Sequence, residues 1–257
     1  MNIISRVICF FLSAVIAAVL SGCVSQSQIE ISSDDEFQRM RTSMPLSNNL
    51  TDRAYVRCVA LSIIEQLDEP YASYDWEIEL FDSQDVNAFA MAGGKIGVFS
   101  GLLNVATNQD QLAAVLGHEV AHVTEDHTLE RANRDAVTRN VAIFGSEVLD
   151  ASTGLETTDL MVFGAQVGLM LPYQRSAESE ADTVGLIYMA AAGFDPLASI
   201  TLWTNMAKVS GGAGPPPWLS THPSGDARIA ELAGEMIDIL PIYNKALEEG
   251  RRPNCRH

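Results

Sequence analysis

From Leu112 to Val123 the chain is apolar on almost every side of a helix, broken only by His118, Glu119 and His122. A helix without a polar face has nothing to offer water, so it must run through the interior of a domain with other elements packed around it. Its start is written into the sequence, since Asn108 with Gln111 three residues later makes a capping box. Polar side chains carried into such an interior cost several kcal/mol unless they find partners. The rest of the chain must therefore fold so as to supply partners to those three residues.

Two histidines four positions apart lie about 40° from each other around a helix, so both imidazoles can reach one ion. The glutamate between them points to the side of that face, where it can take a proton from water. This is the zincin pattern H-E-x-x-H, and its spacing suits tetrahedral zinc held by one rigid element. Two satisfied core histidines are the plainer alternative. A zinc centre needs a third protein ligand. The metzincin arrangement would need Gly at position 125 and His at 128, where this chain has Glu125 and Thr128. The gluzincin arrangement takes a glutamate from a later helix. Glu178 and Asp182 share one helical face a turn apart; Glu178 could bind the metal while Asp182 orients a ligand imidazole. Glu180 reads as a solvated acid. His127, five residues past His122, is off the ligand face, and His257 is terminal.

The pattern along the chain predicts an α+β fold, mostly helical with a small β-sheet. A helix is expected over about 50–68, where Val56, Val59, Ala60, Ile63, Ile64 and Leu67 recur at helical spacing. Alternation predicts a strand over 76–81, and residues 88–91 and 96–99 flank Gly93-Gly94 as a hairpin. Residues 131–171 read as helical but broken by glycines, and the apolar stretch Met161–Leu171 is expected to be core. A helix over about 176–192 should stop at Gly193, 210–217 should be a loop rich in Gly and Pro, and a last helix should occupy about 226–239. With 16 Lys+Arg against 33 Asp+Glu the net charge is −17 and no basic tract occurs. Nucleic acid is therefore not an expected partner.

Arg6 followed by the apolar run Val7–Leu20 fits a secretory signal, since the run is well short of the roughly 20 residues that cross a bilayer. Leu20-Ser21-Gly22-Cys23 resembles the lipobox of bacterial lipoproteins, which are cut before the cysteine and acylated on it. The expected organisation is a signal peptide over 1–22, a lipidated tether over 23–48 and one metalloprotease domain over 49–257. Val24 after the cysteine favours the outer membrane by resemblance to enterobacterial sorting. Cys9 leaves with the signal and Cys23 carries lipid, so Cys58 and Cys255 remain, an even pair outside the cytosol that suggests a disulfide.

Several segments together resemble the HtpX-like gluzincins related to the CAAX prenyl proteases, in particular their periplasmic lipoprotein branch. The resemblance covers about residues 50–240. It rests on Asn87-Ala88-Phe89-Ala90 with Gly93-Gly94, on His118 to His122, and on Leu171-Pro172-Tyr173-Gln174-Arg175 through Asp182. Gly193-Phe194-Asp195-Pro196 and Thr221-His222-Pro223 with Arg228 complete it. It implies one Zn2+ per chain held by His118, His122 and Glu178, with Glu119 as general base and Asp182 and Arg228 in support. His222 would either steady the oxyanion or occupy the open zinc position and silence the site. The family often has Pro-Gly-Gly where this chain has Ala92-Gly93-Gly94, a change expected to alter rigidity alone. Residues Asn87 to Ala90 are expected to lie on a sheet edge that takes substrate backbone by β-augmentation. The implied role is a periplasmic, lipid-anchored zinc endopeptidase acting on unfolded or misfolded envelope proteins. The rival role is a zinc-bound chaperone for outer-membrane proteins.

Overall fold

A computed structural model describes residues 24–154, 156–209, 217–222 and 226–256. The signal segment, Cys23, residues 210–216 of the expected loop and Pro223 lie outside the described residues. The chain divides into two compact units. The larger holds Glu30–Asp126 and Ala177–His257; the smaller holds His127–Ser176 together with the N-terminal residues up to Ile29.

In the larger unit, helix α2 (Leu50–Ile64) follows Asn49, whose side chain accepts from the backbone N–H of Thr51 and Asp52. Strands β1 (Glu77–Phe81), β2 (Ala88–Met91) and β3 (Lys95–Phe99) form a mixed sheet in the order β1-β3-β2. β3 runs parallel to β1 and antiparallel to β2, with Ile78 opposite Ile96 and Ala88 opposite Val98. The hairpin turn is made by Gly93 and Gly94 at φ +79° and +78°, a left-handed region that glycine enters without steric penalty. The outer side of β1 is partly covered, because Ser47 donates to the Leu80 carbonyl and Asp82 to that of Pro45.

Helix α3 (Gln109–Thr124) is the apolar helix of the sequence. Asn108 caps it by accepting from the Gln111 N–H, while the Gln111 side chain reaches back to the Thr107 N–H. One core gathers Val56, Ile63, Ile96, Val98, Leu112 and Leu116, and Trp203 of helix α7 (Ala198–Val209) joins it. Helix α7 has no counterpart in the sequence reading. A second cluster sets Phe37 against Phe81 and Phe99. Phe37 corrects the expectation of a polar tether: helix α1 (Gln26–Ser43) stands there, and this one aromatic, fully buried, docks it despite its polar composition.

Helix α6 (Leu171–Ala192) ends as expected at Gly193, which has φ +90°. In the larger unit it crosses α3 at glycine on both sides. A Cβ on Gly117 would stand 2.6 Å from the Gly185 carbonyl oxygen, and one on Gly185 would stand 2.7 Å from the His118 nitrogen. Only hydrogen fits there, and the backbones meet. Helix α9 (Asp226–Glu248) runs two turns beyond its expected end, through Pro241. Cys58 and Cys255 form a disulfide across 197 residues of sequence.

The smaller unit is a helical hairpin of α4 (His127–Thr153) and α5 (Thr158–Ala165), followed by a π-helical turn at Gln166–Met170. Thr157 donates through its N–H and hydroxyl to Asp150, closing the bend. Here the core assignment of Met161–Leu171 is wrong. Met170 is buried, but Leu160, Phe163 and Leu169 just before and within the stretch are 71%, 66% and 59% exposed. A two-helix unit can bury one face of each helix, and this stretch is apolar on more than one. Among the described residues no helix is long and apolar enough to cross a membrane.

Candidate metal centre

The glycine crossing is what assembles the site. With α3 and α6 in backbone contact, Glu178 and Asp182, two turns and one turn before Gly185, come to lie against His118. His118, His122, Glu178 and His222 offer ligand atoms that all lie within 4.8 Å of one another. His118 Nε2 is 3.1 Å from His122 Nε2 and 3.1 Å from His222 Nδ1. Glu178 Oε2 is 3.5 Å from His118 Nε2, Oε1 is 3.5 Å from His122 Nε2, and both oxygens are 3.0 Å from His222 Nδ1.

This donor set fits a metal ion. His118 turns Nδ1 to Asp182 Oδ1 at 3.0 Å, which places its proton there and leaves the Nε2 lone pair facing the other rings. Three imidazole nitrogens and a carboxylate converging on one point cannot all be satisfied by hydrogen bonds to one another, whereas a cation satisfies them together. Tetrahedral donors at about 2.0–2.1 Å from zinc stand roughly 3.3 Å apart, close to the separations seen here.

The electrostatics follow from the contacts. Burial alone would lower the His118 imidazole, but hydrogen bonds to Asp182 and Glu178 outweigh it and push it up to about 9. His122 lacks the Asp182 contact, and burial holds it down to about 4. Burial would raise the Glu178 carboxyl, yet its hydrogen bonds to His118, His122 and His222 bring it well below the ordinary range. Asp182 is lowered in the same way, by His118 and by Arg228. Arg228 grips both Asp182 oxygens at 2.6 Å and reaches Glu178 at 3.2 Å, while its guanidinium lies 3.9 Å above the Trp203 ring. Proton and metal compete for the same imidazole lone pairs, so an ion must displace any proton on His118 Nε2.

Glu119 is buried and stays out of the donor cluster. Trp218 of the short helix α8 (Pro217–Thr221) donates through Nε1 to Glu119 Oε1 at 2.6 Å. The same indole lies 5.1 Å from the His222 ring and 5.0 Å from that of Trp203. One turn of chain thus touches both the general-base candidate and the metal donors, since His222 Nε2 is also 3.5 Å from Glu119 Oε1. Trp218 and Trp203 were not picked out from the sequence. Trp218 stands four residues before His222, a one-turn spacing that would have pointed to it had the residues after the expected loop been read as helix.

Of the other expected residues, Ala88, Phe89 and Ala90 lie on β2, an edge of the sheet, with Asn87 just before it. The Phe89 side chain belongs to the aromatic cluster: its ring covers Gly97 and lies 6.3 Å from Phe37. Any contribution of Phe89 to substrate binding falls to its backbone. His127 is outside the donor group and its carbonyl accepts from the Tyr173 hydroxyl.

Residues 51–236 match the sequence profile of Peptidase family M48. The chain belongs to that family. M48 peptidases are metal-dependent, which agrees with the donor set. Relatives include the mitochondrial metalloendopeptidase OMA1 of Schizosaccharomyces pombe, 36% identical over 76% of this chain and 54% of that protein. OMA1 of Homo sapiens is 34% identical over 62% of this chain and 32% of its own length. The beta-barrel assembly-enhancing protease of Escherichia coli K12 is 27% identical over 82% of this chain and 44% of its own. The chain thus spans about half the length, or less, of the curated relatives it matches.

Proposed function

We propose that this M48 chain is a zinc endopeptidase that cuts unfolded or misfolded polypeptide in a bacterial periplasm, anchored by lipid on Cys23, and that its membrane is the outer one. The observation that carries the peptidase reading is the pairing of a complete His118–His122–Glu178 donor set with a buried carboxylate, Glu119, that stands beside the donors without belonging to them. The apolar run Val7–Leu20 and the lipobox-like sequence ending at Cys23 support the address. Relatives with endopeptidase and protease in their names support the reaction class.

A bound zinc would supply Lewis-acid chemistry, polarising a carbonyl and making water more acidic. His118, His122 and Glu178 would hold it, with Asp182 and Arg228 fixing the His118 ring. Glu119 takes the proton from the attacking water and passes it to the leaving amine. Trp218, bonded to one Glu119 oxygen, fixes the carboxylate and leaves the other oxygen for the proton. The unpaired side of β2 suits an extended substrate backbone.

One observation favours a second reading, a zinc-bound chaperone or assembly factor whose site is plugged. His222 Nδ1 sits among the donors, not beside them, at 3.0–3.1 Å from Glu178 and His118. The test is hydrolysis of a denatured, labelled reporter by the zinc-loaded protein beside its Glu119→Gln and His222→Ala variants. Cleavage by the parent and not by Glu119→Gln is expected. If His222 plugs the site, His222→Ala cuts faster than the parent; if it serves the oxyanion, that variant cuts more slowly. Absence of cleavage by both the parent and His222→Ala overturns the peptidase reading.

A further inference from the structure

The hairpin unit carries a surface that the metal chemistry does not use. On α4, Val141 and Val148 stand two turns apart, 52% and 55% exposed. On α5 and beyond, Leu160, Phe163, Val167 and Leu171 recur at helical spacing, all exposed. These stripes are not the seam of the hairpin. The seam is made by Ala142, by Gly145 against Met161, and by Ser146, whose hydroxyl meets that of Thr158 at 3.0 Å. The inner faces are already satisfied, and the apolar surplus faces outward.

Charge narrows what can cover that surplus. From Leu160 to Gln174 the sequence has no Asp, Glu, Lys, Arg or His, and from Asn140 to Gln174 it has no Lys or Arg. Glu147, Asp150, Glu156 and Asp159 lie along the stripes, and Arg139 and Arg175 stand only at their ends, so the bordering charge is net acidic. Such a surface suits uncharged lipid and disfavours an anionic one. The eight residues of α5 and the five of the π turn are far short of the roughly 20 needed to span a bilayer, so the fit is to the interface, not to a crossing.

The chain path supplies the third argument. Val24, the residue after Cys23, donates its N–H to Asn133 Oδ1 at 2.6 Å and accepts from Asn133 Nδ2 at 3.2 Å. Asn133 lies in the second turn of α4. The 23 residues that carry the apolar run and the lipobox-like cysteine therefore join the structure on the hairpin unit itself.

We propose that the outward stripes of α4 and α5 are a lipid-facing surface, which lays the hairpin in the interfacial layer of an electrically neutral bilayer beside the N-terminal anchor. The location of the bilayer rests on the Cys23 reading above; the surface rests on the exposed stripes. A contact of this kind would add buried apolar area to the attachment made at Cys23.

The test places a reporter in the stripe and leaves the rest of the chain whole. The full chain bearing Phe163→Trp is mixed with phosphatidylcholine vesicles whose acyl chains are brominated, with Ile237→Trp, at an exposed apolar position of the larger unit, as control. The parent protein corrects for Trp76, Trp203 and Trp218. The expected result is a blue shift and strong quenching for Phe163→Trp and neither for Ile237→Trp, with binding weakened when half the lipid is replaced by phosphatidylglycerol at low salt. Leu160→Asp should lower vesicle partitioning about tenfold or more. The anchor is read separately by flotation with Cys23→Ser. If that variant no longer floats but its residue 163 reporter is still quenched at high lipid, the surface stands and gains an anchor beside it. If the parent floats and the residue 163 reporter stays unquenched, the anchor holds and the proposed surface is wrong. A blue shift that appears without lipid and grows with protein concentration would assign the stripes to a second copy of the chain and overturn the proposal.

Discussion

Glycine does opposite things in the two units. At the crossing of α3 and α6, Gly117 and Gly185 are the contact itself, and a methyl group on either would stand under 3 Å from backbone atoms. In the hairpin, Gly164 and Gly168 face open space, with no atom within 4 Å of where a Cβ would be. The first pair lets two helices approach until a carboxylate reaches two imidazoles. The second pair meets nothing, and a side chain there would stand in open space. Absence of a side chain sets the fit of two helices in one region and makes no contact in the other, and sequence alone does not distinguish them.

The largest test of that contrast is covalent. The Cys58–Cys255 disulfide closes a loop of 197 residues whose two ends lie in the larger unit, and it has no counterpart among the described residues of the hairpin. Closing so long a loop contributes on the order of 2–5 kcal/mol in the chain-entropy account. Reduction, or the Cys58→Ala/Cys255→Ala double variant, should lower the melting temperature of the larger unit by many degrees. Hydrogen exchange in α4 and α5 should stay as it was. A matching loss of protection in the hairpin would mean that the two units melt as one.

The second test adds one methyl group at the crossing. Gly185→Ala would bring a Cβ to 2.7 Å from the His118 nitrogen, so the helices must part or slide. Overpacking of this kind costs about 1–3 kcal/mol. The displacement acts on the donors as well, because Asp182 and Glu178 ride on the same helix as Gly185. Zinc affinity, measured by competition with a chelating dye, should fall about ten- to a hundredfold, the usual loss when support for a ligand is disturbed. Destabilisation with unchanged zinc affinity would show that the donors are positioned by something other than the crossing.

What the sequence disclosed follows the same line. The α3 helix was legible because its apolar content, its Asn108 cap and its two histidines are all local, and Glu178 and Asp182 followed from a motif that demands a third ligand. Cys58 and Cys255 were legible by elimination. The helix at 26–43 was not, because a single buried aromatic, Phe37, holds an otherwise polar segment through a tertiary contact. Trp218 was hidden by the neighbouring run of Gly and Pro, which made its turn of helix look like loop. The misjudged stretch is Met161–Leu171: apolar composition promises burial only if something is there to bury against, and that is a property of the fold.

The smallest effect is the most direct comparison, the same substitution on the other side of the molecule. Gly164→Ala places its methyl group in open space on a helix whose glycine costs roughly 0.5–1 kcal/mol relative to alanine. The variant should gain about that much, read as slower hydrogen exchange in α5 and a small rise in the hairpin's melting temperature, with zinc affinity unchanged. The sign is the informative part, since it should oppose that of Gly185→Ala. If Gly164→Ala destabilises instead, its position is covered in solution by something that needs the glycine, and the hairpin would then resemble the α3–α6 crossing after all.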